Sequence, residues 1–388
     1  MGEDGLMTRD TLTADWSGTR DKLADHGLTM DLSWTEFYQG TLASDGYDDF
    51  EFGGRADALF HIDTSKLGLW DGGGFHTHIE SRFGDAPASR GGALWPVNTG
   101  LVLPIGEYES VVASSLFFSQ KLGDFSMMLG KINAVDLVAN DPFYGGWGNT
   151  RFMNVAFVAP PSGLLPPVIM GGIFNYRLKP FSFTFMAYDP DDQTSEYGVD
   201  QLFNNGVVLA LSGTWTGEVA GCATSITLGG KFDTGEGSDL SEVLLPPDLK
   251  SGNKDGAFNI SLDFSHLLYE APGKEGKGLG IYLKPAIADG NPNVIQGSVV
   301  TGIAGHGIIP SRPLDVFGLG YFYYDFSDDL QDATSPLVSF DDEQGIEVFY
   351  NLALTPWFQV TADLQWINPA TGANDDAWVG ALRTRVVF

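Results

Sequence analysis

The sequence predicts an all-β fold: a transmembrane antiparallel β-barrel of about 16 strands, with a short N-terminal helix at the periplasmic end and long extracellular loops folding inward. Three observations carry that expectation. Apolar and polar residues alternate over stretches of about 10 residues, tight turns alternate with long acidic links, and the chain ends in "ALRTRVVF". In that last stretch Leu382, Thr384, Val386 and Phe388 share one face, opposite Ala381, Arg383 and Arg385, as in a strand wetted on one side. A terminal strand with an apolar face and a free edge invites aggregation, and closing the sheet into a barrel removes the edge.

The composition agrees with a chain that hides apolar surface strand by strand. It is 43% apolar with a mean hydropathy of -0.03, and its 50 Gly and 27 Phe fit neither a disordered chain nor a helical membrane protein. No apolar run approaches the roughly 18 residues that a spanning helix requires, whereas a barrel strand needs only about 9 to 11. The formal net charge of -29 argues against nucleic acid as a partner. The single Cys222 excludes an internal disulfide. "MGEDGLMTRD" lacks the basic-then-apolar pattern of a secretory leader, so the sequence reads as a mature or engineered start.

Residues 1–27 are expected to form an N-terminal periplasmic segment and 28–388 the barrel. In "TLTADWSGTRDKLADHG", Thr13 or Asp15 is a candidate helix cap, Leu12, Trp16 and Leu23 a narrow apolar stripe, and Gly27 a terminator. Strands follow, centred near Leu28, Phe52, Phe75, Val112, Met128, Ile169, Phe183, Leu209, Ile226, Ile260, Ile281, Val300, Phe317, Val348, Val360 and Leu382. In "FEFGGRADALFHID", Phe52, Ala56, Ala58, Phe60 and Ile62 oppose Arg55, Asp57, His61 and Asp63; in "FQVTADLQW", Phe358, Val360, Leu364 and Trp366 oppose Gln359, Thr361, Asp363 and Gln365. The stretches near Val112, Met128 and Val300 alternate poorly. Tight links are expected at Lys179, Thr216, Pro310 and Thr355, and long links at 85–107, 134–167, 190–204, 234–255 and 328–343. An even strand number places both ends on one side, and a barrel of this size leaves an aqueous lumen.

Three stretches carry a family resemblance. "LTADWSGTRDKLADHGLTMDLSW", "LGKINAVDLVANDPF" and "FYNLALTPWFQVTADLQWINP" resemble, in order, segments of the carbohydrate-selective outer-membrane porins of the OprB type. The final Phe388 resembles the assembly signal of bacterial outer-membrane proteins. Asn133 stands where that family usually carries an Asp. The resemblance implies a 16-stranded barrel in the bacterial outer membrane, its pore narrowed by inward loops, passing sugars passively. The partners it implies are small sugar solutes, outer-membrane lipid and lipopolysaccharide, and the outer-membrane assembly machinery, with the chain a homotrimer or a monomer.

A narrow sugar pore must replace lost water with hydrogen-bonding groups and offer aromatic faces to C–H surfaces, while binding weakly enough to release. Candidate pore-lining residues on the wall are Arg55, Asp57, Glu80, Arg82, Lys131, Asp363, Gln365 and Arg383. Those in the two longest loops are Trp95, Glu107, Asp136, Trp147, Asn149 and Arg151, with Gly145, Gly146 and Gly148 letting the backbone turn sharply into the channel. No cofactor is expected beyond calcium on the acidic loop runs at Asp191 and Asp192, Asp328 and Asp329, and Asp341 to Glu343. His76 and His78 suit a metal by type, but the sequence offers no third ligand beside them, and no catalytic motif is found. Two other readings stay open: a porin for charged small solutes, favoured by the acidity, and a soluble all-β carbohydrate-active enzyme or lectin.

Overall fold

The computed structural model describes residues 5–43, 49–85, 92–104, 111–158, 165–271, 277–335, 337–371 and 375–388. Glu107 and Arg90 lie outside them. The described residues form sixteen strands: β1 Leu28–Ala43, β2 Phe50–Asp63, β3 Gly73–Gly84, β4 Val111–Leu122, β5 Phe125–Asn133, β6 Val168–Leu178, β7 Phe181–Tyr188, β8 Val208–Val219, β9 Cys222–Ser238, β10 Asn253–Glu270, β11 Gly278–Ala288, β12 Ile295–His306, β13 Val316–Phe326, β14 Glu343–Ala353, β15 Phe358–Asn368 and β16 Ala377–Val387. Every predicted strand centre falls inside one of them. Each strand pairs antiparallel with its sequence neighbours, and β1 closes on β16 in a ladder from Ser33 opposite Val387 to Ala43 opposite Trp378. No helix among the described residues is long and apolar enough to cross a membrane. Closure pairs the backbone of the first and last strands, which hydrocarbon would otherwise leave unsatisfied.

The outer face is the apolar one. Phe181, Phe183 and Phe185 on β7, Leu211 on β8 and Leu228 on β9 are all exposed on the barrel's outer wall. The turns at Lys179–Pro180 and around Thr355 lie where the sequence put them. The turn expected at Thr216 does not: Thr216 pairs with Ser225 and Gly217 with Thr224 inside the β8–β9 ladder, and the chain reverses at Ala220 and Gly221, both in left-handed conformation. The 234–255 link is likewise shorter than expected, because β9 runs on to Ser238 and β10 begins at Asn253, paired with each other.

At the short-turn end, the segment before β1 holds the helix α1, Thr19–Asp25. It starts later than Thr13 or Asp15 at its N-cap would place it, because Ala14, Trp16 and Ser17 adopt left-handed turns and the N-cap is Gly18. Asp15 still accepts a hydrogen bond at 2.9 Å from the amide of Asp21, so it satisfies one of the free N–H groups of the first turn from outside the helix. Gly27, at φ 90°, ends the helix as expected. Arg20 then ties the segment to the barrel seam, donating to the carbonyls of Met30 at 3.1 Å and Phe388 at 2.8 Å.

The Pro310 turn between β12 and β13 is held by Asp315, which accepts from Arg312 at 3.0 and 3.1 Å, from the Tyr350 hydroxyl at 2.7 Å and from the Ala353 amide at 3.0 Å. Burial pushes this carboxyl up, but those hydrogen bonds and the guanidinium outweigh it and hold it below its ordinary value.

Two predictions follow from the wall and this turn. Leu228→Arg, on the lipid side, is expected to lower the folding free energy in lipid vesicles by about 2–4 kcal/mol, whereas Ser212→Lys, on the lumen side of β8, costs well under half of that; urea titration of reversible folding into vesicles measures both. A depressed folded-state carboxyl stabilises fully above its unfolded value and loses that contribution as pH falls through the folded one. Asp315→Asn should therefore flatten the acid limb of the stability profile below about pH 4, read from unfolding midpoints at stepped pH.

Candidate functional site

The lumen is largely occupied by the link from β5 to β6, which turns back into the barrel. Its described part, 134–158 and 165–167, carries the short helices α2 Ala134–Val138 and α3 Val155–Val158. The link from β3 to β4 adds a single turn, Thr99–Val102, beside it. Local chemistry sets the inward path. The Asn133 side chain accepts from the Val135 amide at 3.0 Å, and Asp141 Oδ1 accepts from the amides of Phe143 and Tyr144 at 2.8 and 3.0 Å. Gly146, Trp147 and Gly148 are in the left-handed region, and a Cβ on Gly146 would lie 2.1 Å from Thr150 Oγ1. The glycines allow the sharp turn that the sequence suggested.

An apolar seat receives this loop. Phe152 stacks on Phe157 at 4.5 Å and meets Phe349 of β14 edge-on at 4.8 Å, while Phe157 meets Phe322 of β13 at 5.8 Å. The wall makes room with glycines that face inward: a Cβ on Gly280 would come within 2.3 Å of Phe143, on Gly318 within 2.8 Å of Phe152, and on Gly320 within 2.4 Å of Phe157. Each buried phenylalanine contributes on the order of 2 kcal/mol. Part of the bore is therefore a packed core between loop and wall.

Buried polar groups latch the loop in place. Glu347 of β14 accepts from the amides of Met153 at 2.5 Å and Asn154 at 3.0 Å. Arg383 of β16 donates to the carbonyls of Gly148 at 2.6 Å and Arg151 at 2.9 Å. Gln365 of β15 accepts from Asn154 at 3.1 Å and donates to Val97 O at 3.0 Å and to Asp363 at 3.0 Å. On the neighbouring stretch of wall, across β1, Arg55 donates to both Asp57 and Glu80 and to Gly100 O at 3.2 Å, and Arg82 reaches Gly100 O and Leu103 O at 3.2 and 2.7 Å. His78 bridges wall and loop, with Nε2 3.1 Å from Asp57 and Nδ1 2.9 Å from Asp136. Asp136 also accepts from Trp147 Nε1 at 2.8 Å and from Ser115 at 2.6 Å, and Asn149 donates to Asp57 at 3.2 Å.

The structure thus brings most of the predicted residues together, but underneath the loop. Arg55, Asp57, Glu80, Asn149, Gln365 and Arg383 are buried, and they fasten loop to wall rather than forming an open lining. Arg82, Asp136 and Trp147 belong to the same network. Arg151 is half-buried in the loop, where the loss of hydration pulls its guanidinium down to about 10; the same desolvation raises the Asp141 carboxyl. Lys131 was placed on the lumen side by its neighbours in sequence, but it pairs with Leu116 and Met170, and Leu116 is 61% exposed on the outer wall. Cross-strand partners share a face, so Lys131 points outward; its ammonium is capped by the carbonyls of Thr194 and Glu196 at 2.7 and 3.0 Å.

His78 acquires the neighbours that the sequence could not supply: ligand atoms of Asp57, His78 and Glu80 lie within 4.8 Å of one another. The Arg55 guanidinium, bonded to both carboxylates, is the cation that answers them. His76 turns to His61 instead, Nδ1 to Nδ1 at 3.2 Å. The acidic runs serve the loops' own hydrogen bonds: Asp192 accepts from Val168 N and Thr194, Asp329 from Asn291, Asp342 from Tyr323 and Phe326 N, and Glu343 from Leu94 N.

A cavity of about 400 Å³ lies between the loop and strands β9–β12. Trp95, Val135, Val138, Val155 and Val158 supply one side; Lys231, Asn259, Ser261, Asp263, Lys284 and Ser298 supply the other. Of the predicted residues that the structure describes, only Trp95 lines it. The wall residues here escaped the sequence reading because they are single polar positions in otherwise ordinary strands. The one signal available was their spacing of two along "NISLDF".

A family model described as the carbohydrate-selective porin, OprB family, matches residues 49–388. Porin B of Pseudomonas aeruginosa is 23% identical over 97% of this chain and 91% of its own length. Among solved structures, the high-pH structure of Pseudomonas putida OprB matches with a TM-score of 0.84 at 19% identity, covering 99% of this chain and 100% of that one. The low-pH structure of the same protein matches at 0.63 with 17% identity, covering 98% and 99%.

Removing the latch should open the bore. Glu347→Ala leaves the Met153 and Asn154 amides without their acceptor, at a cost of about 3 kcal/mol to the seated loop. Single-channel conductance in planar bilayers is expected to rise at least about twofold with added open-state noise, while Glu36→Ala on the outer wall leaves it unchanged.

Proposed function

The chain belongs to the OprB family of carbohydrate-selective porins, and from that premise we propose how it selects its solutes. It is an outer-membrane β-barrel channel through which carbohydrates diffuse. The solutes that fit are monosaccharides and short oligosaccharides entering one ring at a time, and the narrow passage is the cavity between the inward loop and strands β9–β12. The observation that carries this reading is the two-sided lining of that cavity: amide and hydroxyl groups of Asn259, Ser261 and Ser298 on the wall, apolar Trp95, Val135 and Val138 on the loop. A sugar ring has the same division, hydroxyls at its edge and C–H groups on its faces. Wall groups replace part of its lost hydration, and the apolar side gains only the modest free energy of a small contact, so the solute leaves again.

Nothing in this passage asks for bond making, and the reading is of passive diffusion rather than catalysis. The buried Arg55, Arg82, Asp57 and Glu80 act on the solute through the loop they hold, by fixing the width of the passage. Outer-membrane lipid and lipopolysaccharide suit the exposed aromatic wall, the assembly machinery suits the terminal Phe388, and the barrel works as a monomer or as a homotrimer.

Proteoliposome swelling tests the size filter. Glucose is expected to enter at least about ten times faster than a neutral trisaccharide, with Glu347→Ala narrowing that ratio. Equal rates for the two sugars in the unaltered protein would sink the assignment of this cavity as the narrow point.

A further inference from the structure

We propose that the lumen carries a binding site for a divalent transition metal ion, copper(II), nickel(II) or zinc(II), between His61 of β2 and His76 of β3, on the short-turn side of the inward loop. It stands apart from the cavity at β9–β12 and goes beyond the reading of sugar passage.

The two histidines are a direct cross-strand pair in the β2–β3 ladder. They face inward, because His61 alternates in step with Arg55 and Asp57, and His76 in step with His78 and Glu80. Both rings are half-buried, so ions in the water of the bore reach them. Their Nδ1 atoms lie 3.2 Å apart while their ring centres lie 4.4 Å apart, so the nitrogen edges lean toward each other. Imidazole nitrogens bind zinc at about 2.0–2.1 Å, which puts two of them on one ion about 2.9 Å apart at a right angle and about 3.3 Å apart at a tetrahedral one. The separation in this pair falls between those values.

Neighbours hold His76 in the orientation that a ligand needs. Phe117 of β4 stacks on its ring at 4.5 Å with the planes 10° apart, and its Nε2 is 2.8 Å from Ser119 Oγ. A bond from Nε2–H to a fixed oxygen leaves Nδ1 with the lone pair that binds metal. Gly74 makes the room: a Cβ there would lie 2.8 Å from His61 Cε1 and 3.0 Å from His76 Nε2. Without an ion, one Nδ1 donates its proton to the other. With an ion, that proton sits on Nε2 of the same ring, and two neutral imidazoles bind with no net change in protons.

The donor set selects among ions. Imidazole suits copper, nickel and zinc, whereas calcium and magnesium take oxygen ligands. Two protein ligands leave the remaining positions to water, so the ion exchanges with the bore rather than becoming part of the fold. Asp63, on the same face two residues beyond His61 and close enough to interact with it electrostatically, favours a cation there. The buried group of Asp57, His78 and Glu80 does not compete, because the Arg55 guanidinium already answers its carboxylates.

The untagged full chain, titrated with copper(II), nickel(II), zinc(II) and magnesium chloride in detergent and in planar bilayers, tests the proposal. Bound copper(II) is expected to show the electron paramagnetic resonance splitting of two imidazole nitrogens, reduced to one in His61→Gln and in His76→Gln. Added on the short-turn side, copper is expected to lower single-channel conductance at a smaller concentration than nickel or zinc, and magnesium to leave it unchanged. Either substitution is expected to raise the half-effective copper concentration at least about tenfold, and His26→Gln, at an exposed histidine outside the bore, to leave it unchanged. Among the described residues His61 makes its side-chain hydrogen bond only within the pair, so His61→Gln stays decisive should His76→Gln disturb the Ser119 contact. A two-nitrogen signal that persists in His61→Gln, an equal loss in His26→Gln, or equal potency of magnesium overturns the site. An intact signal with unaltered conductance overturns its place in the path of ions.

Discussion

The closing ladder between β1 and β16 is the constraint on which the rest depends. In hydrocarbon an unpaired backbone N–H or C=O costs several kcal/mol, so an open sheet of fifteen ladders is not a smaller version of a closed one; it is a different and unstable object. Closure fixes the circumference, and the circumference fixes what the interior must hold. A ring of sixteen strands encloses more volume than its own inward side chains fill. The chain fills it with the loop after β5, and the inward glycines at Gly280, Gly318 and Gly320 are the mark of that solution, since side chains there would collide with Phe143, Phe152 and Phe157.

The loop is held by two kinds of force that fail differently. Its phenylalanines bind the wall through dispersion and lost apolar hydration, which set its depth but not its angle. Glu347 and Arg383 bond backbone atoms of the loop and Gln365 accepts from its Asn154 side chain, and these hydrogen bonds set its register. Polar groups buried this deeply are expensive unless their partners are present. Each of the three meets at least two partners, so a small displacement of the loop would strand a buried polar group. The width of the passage is thereby fixed more sharply than apolar packing alone could fix it.

The same packing explains how far the sequence could be read. Strands such as β7 and β15 were legible because outward Phe, Leu and Trp alternate with Ser, Thr, Asp and Gln that face water or polar loop atoms. Near Met128 and Val300 the alternation fails for a physical reason: the lumen side there is apolar too. Ile132, Ile169 and Ile173 form one buried patch, and Val300 packs under the loop, so both faces of the strand read alike. Near Val112 a bulge opposite His78 and Ile79 shifts the phase. Arg55, Asp57, Glu80 and Arg383 were correctly read as inward, yet their cover was invisible, because their partners lie in a loop far along the chain. Lys131 shows the limit of composition as a guide. A lysine in a strand reads as lumenal until the pairing with Leu116 reverses it.

Charge is partitioned across this barrel in a way that the net value conceals. Among the described residues, seven basic ones, Arg55, Arg82, Arg151, Lys231, Lys284, Arg383 and Arg385, lie inside the barrel or in its inward loop. Interior cations are mostly consumed: Arg55 by Asp57 and Glu80, Arg383 by loop carbonyls. Lys231 and Lys284 line the cavity under the loop. A neutral sugar experiences this arrangement mainly as a shape, because its dipoles average a distant field.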